Sequence, residues 1–234
     1  MSRAPFCVLI STLALGCGGS APPASSPTPV ASTAPASMVA PDSDAGTSVA
    51  SSVVHFDDLG VSLDVPLGMR VVGDDELASR IRSAANPRLT ASLEQRGAEK
   101  KGLPLLTLSK ETTALGDGLT LTLTAARVPA DATSAELLAE QRNVMIANLA
   151  DFTVVDGPKD ISLDGVPGTE LADTYSAHAS SGPVKTKAVL RLYIRHGLAF
   201  VLVAGWPGTA PTDRETEARS LLAGLHFYPP TAAQ

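Results

Sequence analysis

The positions of the two cysteines limit how this chain can fold. Cys7 and Cys17 are the only cysteines among its 234 residues, and both lie near the N-terminus. Arg3 followed by the apolar residues 6–15 is typical of a secretory signal, and cleavage before Cys17 removes Cys7. The mature chain then has no internal disulfide and no cysteine-based zinc site. The folded part has to be stabilised by its hydrophobic core.

The residues that end at Cys17 resemble a bacterial lipobox. The segment LALGC (13–17) places small residues before the cysteine, which is where signal peptidase II cuts and where the cysteine is lipidated with palmitate-type chains. Ala14 and Gly16 also form a small-x-small site for signal peptidase I, which would leave Cys17 without lipid. An unlipidated Cys17 would be a lone thiol in an oxidising compartment. We therefore predict a lipoprotein with Cys17 as the lipidation site.

The signal also predicts where the protein is located. Its apolar run is too short to cross a hydrocarbon core, which needs about 20 residues. Gly18 follows the cysteine, where an aspartate would signal retention at the inner membrane. We expect a bacterial cell-envelope protein, anchored by lipid to the outer membrane and facing the periplasm.

Composition divides the chain into four parts. We assign residues 1–16 to the signal peptide and residues 17–52 to the lipidated cysteine with a disordered Ala/Ser/Pro-rich linker. Of the 35 residues after Cys17 in this segment, 29 are Ala, Ser, Pro, Thr or Gly. Such a segment buries too little apolar surface to fold, and its Ser, Thr and Pro residues also fit an O-glycosylated stalk. Residues 53–230 have the length of one globular domain, and 231–234 are a tail. The net charge of −6 argues against a nucleic-acid partner.

Hydrophobic periodicity predicts an α+β domain made of strands with a few helices between them. Strands are predicted at 61–65, 103–109, 119–124, 153–155, 160–163, 169–178, 184–194, 198–206 and 225–228. Turns are predicted at 165–168 and 195–197. Helices are predicted over 74–96 with a break at Asn86-Pro87, over 133–149, and from Thr212 onward. Capping boxes are expected at Thr133 with Glu136 and at Thr212 with Glu215.

Three segments resemble the Mog1/PsbP-like domain, including bacterial lipoproteins of the DcrB and LpqN type. They are HFDDLGVSLDVPLGM (55–69), VLRLYIRHGLAFVLVAG (189–205) and LLAGLHF (221–227). Met69 stands where many members have a tryptophan. The resemblance implies a mostly antiparallel sheet packed by helices, arranged as an α/β/α sandwich. It also implies a role in binding, assembly or scaffolding, and it carries over no catalytic residue.

Motifs for catalysis and metal binding are absent from the sequence. There is no nucleophile elbow, phosphate-binding loop, dinucleotide fingerprint or zinc-protease motif. The four histidines, His55, His178, His196 and His226, lack ligand spacing. Ser180-Ser181 beside His178 fits a polar turn better than a hydrolase site. We predict no catalytic residue, no metal and no cofactor.

One strand carries a row of cations that is a candidate for partner binding. In the strand from Val184, even positions are mostly apolar, whereas Lys185, Lys187, Arg191 and Arg195 occupy odd positions together with Tyr193. Such a row fits an anionic lipid headgroup, an envelope polysaccharide or an acidic protein. The alternative is a solvated sheet face whose cations are offset by Glu170 and Asp173. Trp206 is a further contact candidate, or packs at the edge of the core.

These observations favour a non-catalytic envelope protein whose domain binds or scaffolds another envelope component. The partners expected are the membrane, through Cys17, and an envelope protein or an anionic glycan or lipid. Two alternatives stay open: an enzyme acting on lipid or cell-wall material with a site assembled only in three dimensions, and a carrier of a small apolar ligand. The sequence does not predict the oligomeric state.

Overall fold

Extended backbone in two antiparallel sheets makes up most of the residues that the structure describes. The structure is a computed structural model, and it describes residues 52–73, 104–110, 118–179 and 182–229. The signal, Cys17, nearly all of the linker, the helices predicted over 74–96 and Ser180-Ser181 lie outside these residues.

The strands follow one another with only two described helices between them. The strands are β1 (Ser52–Phe56), β2 (Val61–Val65), β3 (Arg70–Val71), β4 (Pro104–Lys110), β5 (Leu119–Arg127), β6 (Ala150–Leu163), β7 (Val166–Ala179), β8 (Gly182–Arg195), β9 (Leu198–Pro207) and β10 (Leu225–Phe227). The helices are α1 (Ser134–Asn148) and α2 (Asp213–Ala223), and a 3₁₀ turn spans Asp57–Leu59. Neither described helix has the length and apolar character needed to cross a membrane.

A seven-stranded sheet and a three-stranded sheet contain these strands. Their orders are β3-β4-β5-β9-β8-β7-β6 and β1-β2-β10, and the paired strands are antiparallel throughout. The predicted α+β class with a mostly antiparallel sheet is confirmed.

Both faces of the large sheet are covered. On one face, α1 packs over β7 and β8 through Leu137, Leu138 and Met145. On the other face, α2 and the small sheet pack over β5 and β9, with Leu222 and Leu225 in the shared core. The molecule therefore has three layers, and a helix together with a small sheet forms one of the outer layers.

The centre of the large sheet lies at β9, as the run of apolar residues predicted. Ala199–Pro207 is buried at every position because β5 and β8 flank the strand and the two outer layers cover its faces. Apolar residues on both faces of one strand are typical of a sheet covered on both sides.

The structure corrects two predictions around β6. One strand, Ala150–Leu163, replaces the two short strands predicted at 153–155 and 160–163, because pairing with β7 continues through register irregularities. The turn predicted at 165–168 lies at Asp164-Gly165, whose φ angles of 50° and 76° suit a tight hairpin turn. Val166 then already belongs to β7.

The two helices begin differently. Thr133 has extended backbone. Its hydroxyl accepts a hydrogen bond from the Glu136 N–H, and its own backbone N–H donates to the Glu136 carboxylate, so its capping box is confirmed. Thr212 has helical dihedrals and makes no side-chain cap bond, so the second predicted box is wrong. A side-chain cap needs a non-helical residue at that position.

Candidate partner-binding face

Lys185 and Lys187 are the exposed members of the predicted cation row. Both lie on the face of β8 that is turned toward α2, where Lys185 is paired with Ser176 and Lys187 lies between Thr174 and Trp206. Neither ammonium forms an ion pair or a hydrogen bond with the side chains that the structure describes. Their charges are exposed and are not offset by any side chain that the structure describes.

Arg191 is occupied by an internal ion pair. Its Nε donates to Glu170 Oε2 at 2.7 Å, and Arg219 Nη1 donates to the other carboxylate oxygen at 2.6 Å. Burial alone would raise the pKa of Glu170, but the hydrogen bonds and charges of the two arginines outweigh it and hold that pKa below its ordinary value. Glu170 offsets one cation of the row, Arg191, as the alternative interpretation predicted.

Arg195 joins the two sheets. Its Nη1 donates to the carbonyl of Gly60 at 3.1 Å and to that of Tyr228 at 2.9 Å, and the guanidinium lies 5.6 Å from the ring centre of Phe227. These contacts satisfy carbonyl groups next to the small sheet and hold it against the β8–β9 hairpin. Arg195 is a structural residue.

Tyr193 and Trp206 belong to the core. Tyr193 is 1% exposed and packs edge-to-face on Phe227 with ring centres 5.5 Å apart, and Trp206 is 4% exposed. Neither side chain is exposed to a partner in this structure, and the burial of Trp206 fits the core-edge interpretation. Val189, apolar and buried between Lys187 and Arg191, is the sequence signal that this face is covered along the middle of the strand.

Asp173 lies on the opposite face from the cations, which corrects the prediction that it offsets them. It is paired with Ala188 and is 1% exposed, on the side of the sheet that α1 covers. Burial raises the pKa of its carboxyl to about 7. Alternation along the strand did not show that Asp173 is buried, because its burial depends on α1, which covers this face of the sheet.

Two of the four histidines share a face of the small sheet. His55 and His226 are each paired with Ser62, and the ring nitrogens of His226 lie 3.3 Å from Asp64 and 3.9 Å from Asp164. Nearby, residues 55–59 line a surface cavity of about 530 Å³. Among the described residues, no group of three or more His, Cys, Asp or Glu side chains has a geometry that would hold a metal ion.

No protein-family model and no curated protein matches this chain. Solved structures to which it is similar include LpqN, involved in cell envelope biogenesis of Mycobacterium tuberculosis, with a TM-score of 0.45 and 15% identity over 78% of this chain and 93% of that chain. Cyanobacterial PsbP (CyanoP) from Synechocystis gives a TM-score of 0.45 and 12% identity, over 80% and 98% of the two chains. The Saccharomyces cerevisiae Ran-binding protein Mog1p gives 0.42 and 9%, over 77% and 96%. LpqN, PsbP and Mog1p have the Mog1/PsbP-like fold that the sequence resembles.

Proposed function

We propose that this protein is a non-catalytic binding module of the bacterial envelope, in which Lys185 and Lys187 contact an anionic envelope component. The observation that supports this proposal is the contrast within one strand. Arg191 and Arg195 have internal partners, whereas the two lysines are exposed without an ion partner among the described side chains. Exposed cations of this kind attract anions and increase the rate of encounter.

The spacing of the two lysines suits a partner with repeated anionic groups. They are two positions apart on one face, and a strand rises by about 3.3 Å per residue, so their backbone positions are roughly 7 Å apart. The Thr174 hydroxyl lies beside Lys187 on the neighbouring strand and adds a hydrogen-bonding group. Phosphate or carboxylate groups along a polymer or a protein surface match this pattern.

The proposal includes a tether. Lipid on Cys17 would hold the protein at the outer membrane facing the periplasm, and attachment by more than one acyl chain is stable. A flexible linker over residues 18–52 would span about 30 Å on average. The domain would then search a shell of that depth for its partner.

The binding surface is tested by crosslinking in the envelope. The double variant Lys185→Ser/Lys187→Ser is compared with Arg142→Ser/Lys159→Ser, which removes two exposed cations from α1 and β6 and changes the net charge equally. We expect a crosslinked component to be recovered with the wild type and with the control, and to be lost from the lysine variant. The yield of crosslinked product should fall as the salt concentration is raised. Equal recovery with both double variants would overturn the proposed surface.

The tether is tested separately by Cys17→Ala. We expect the wild-type protein to sediment with membranes and the variant to appear in the soluble periplasmic fraction. Mass spectrometry of the N-terminal peptide identifies the acyl chains. An unmodified Cys17 in the mature protein would refute the lipid anchor and leave the lysine surface to its own test.

A further inference from the structure

The seam between α1 and β7 contains polar side chains without partners. Asp173 is 1% exposed, and neither of its carboxylate oxygens has a hydrogen-bond partner. Gln141, on the face of α1 that packs on the sheet, is also 1% exposed, and neither its amide nitrogen nor its oxygen is bonded. Leaving such groups unpaired is costly in an apolar environment.

The contacts at both ends of α1 show that the helix runs alongside β7, so that Gln141 and Asp173 lie at similar positions along the seam. At the start of the helix, Ser134 Oγ is 2.8 Å from Thr169 Oγ1. Just after its end, Ala150 is paired with Ser176. The helical path from Ser134 to Ala150, at about 1.5 Å per residue, and the strand path from Thr169 to Ser176, at about 3.3 Å per residue, are both roughly 23 Å long. Gln141 and Asp173 each lie near the middle.

Apolar side chains otherwise surround Asp173. Its cross-strand neighbours are Val154 on β6 and Ala188 on β8. The charged groups of α1 and of the adjoining part of β6 are exposed or half-exposed: Glu136, Glu140, Arg142, Asp151, Asp156 and Lys159. Among the described residues, Tyr175 contributes the one other titratable group on the faces that meet at this seam. No cation there compensates an ionised Asp173.

We propose that Asp173 holds α1 on the sheet while it is protonated, and that ionisation of its carboxyl releases the helix. A neutral carboxyl fits the seam, whereas an unpaired carboxylate favours the state in which water reaches it. Release would uncover the apolar side chains of β7, β8 and β9 beneath the helix, among them Leu171, Leu190 and Val201. The helix would then act as a pH-sensitive cover.

The expected pH range follows from the two states of the carboxyl. Burial raises the pKa of Asp173 from 3.8 to about 7 in the closed state, while in the released state the carboxyl is in water and takes its ordinary value. The released state therefore binds fewer protons between these two values. Its population relative to the closed state rises by up to about tenfold per pH unit from pH 4 to pH 7 and levels off above.

Native-state hydrogen exchange of the full chain from pH 5 to pH 8 tests the proposal. After correction for intrinsic exchange rates, we expect the opening constant of α1 amides to rise steeply up to pH 7 and then to level off. The amides of β9 serve as the internal reference for global unfolding, which also frees the Asp173 carboxyl, so the opening constant of α1 has to exceed theirs at every pH. Asp173→Asn removes the ionisation and should make α1 opening independent of pH, whereas Tyr175→Phe should keep the wild-type profile.

Two results would overturn the proposal. One is an α1 profile that is flat in the wild type, or that is the same in Asp173→Asn. The other comes from an NMR titration of the Asp173 carboxyl carbon in the wild type, which does not depend on any variant being folded. If this carboxyl ionises near pH 4 while the α1 amides stay protected from exchange, the proposal is wrong. A carboxyl that titrates near pH 7 together with loss of α1 protection supports the proposal.

Discussion

At the scale of single residues, Gly168 leaves the least room for a β-carbon among the described glycines. It is paired with Tyr193 on β8, and a β-carbon at position 168 would lie 2.5 Å from Tyr193 Cδ1 and 2.7 Å from the Leu192 carbonyl oxygen. Tyr193 cannot move aside easily because it is buried and packs on Phe227. The glycine is needed for this close approach.

We expect Gly168→Ala to lower the free energy of unfolding by about 1–3 kcal/mol, the usual effect of overpacking a core. Gly73→Ala is the matched control, since a β-carbon there meets nothing within 4 Å; its effect should stay within about 0.5 kcal/mol. Urea unfolding followed by the fluorescence of Trp206, the only tryptophan of the chain, measures both. Equal stabilities of the two variants would contradict the packing argument.

Single residues also show where sequence interpretation ends. Alternation along β8 correctly separated Lys187 and Arg191 from Ala188 and Leu190. It did not show that Arg191 pairs with Glu170, because that contact depends on the register of β7 against β8 and on the position of α2. The lysines and the arginines look alike in sequence and differ only in their neighbours.

At the scale of elements, the starts of the two helices are a natural comparison. Both have the pattern Thr-x-x-Glu, yet only Thr133 bonds to the backbone of its helix. Thr212 follows Pro211, and Arg214 already bonds back to the Pro211 carbonyl at 3.0 Å, so the chain turns before the threonine is reached. The preceding backbone therefore decides whether the motif becomes a cap.

We expect Thr133→Ala to destabilise the protein by about 1 kcal/mol, because a helix N–H loses its acceptor. Thr212→Ala should change stability by only a few tenths of a kcal/mol, since no cap bond is lost. Urea unfolding at pH 6 compares the two variants under identical conditions. A loss at Thr212 as large as that at Thr133 would show that the second helix is capped in solution.

At the scale of the whole molecule, buried acids give opposite pH dependences. Glu170 has a lowered pKa, so its contribution to stability is present above its ordinary value of 4.5 and is lost as the pH falls through the lowered value. Asp173 has a raised pKa, so it destabilises the fold increasingly from pH 3.8 to about 7, and the penalty is constant above that. Glu170 therefore contributes stability that is lost in acid, whereas Asp173 lowers stability as the pH rises toward neutrality.

We expect the free energy of unfolding of Asp173→Asn at pH 8 to exceed that of the wild type by at most about 4 kcal/mol. The difference should shrink toward pH 4. Asp160→Asn, on an exposed position of β6, should differ little from the wild type at either pH. Unfolding in urea at pH 4.5, 6 and 8 measures the three proteins. A constant difference between Asp173→Asn and the wild type at all pH values would contradict the raised pKa.

The sequence by itself determined much of the local structure. Period-two alternation placed most strands, the Arg195-His196-Gly197 signal placed the β8–β9 hairpin at its His196-Gly197 turn, and the box at Thr133 placed the start of α1. These features depend on a few neighbouring residues, which is why they can be predicted from sequence. The cysteines likewise limited the domain to a core without disulfides.

Only the tertiary structure decided which faces are covered. The α2 layer with the small sheet buried Tyr193 and Trp206, the α1 layer buried Asp173, and strand register paired Arg191 with Glu170. Burial and pairing arise between residues far apart in the chain, and the free energy of a charge depends on those surroundings rather than on its position in a strand. For that reason the four cations look equivalent in the sequence, whereas in the fold Lys185 and Lys187 are exposed without an ion partner among the described side chains.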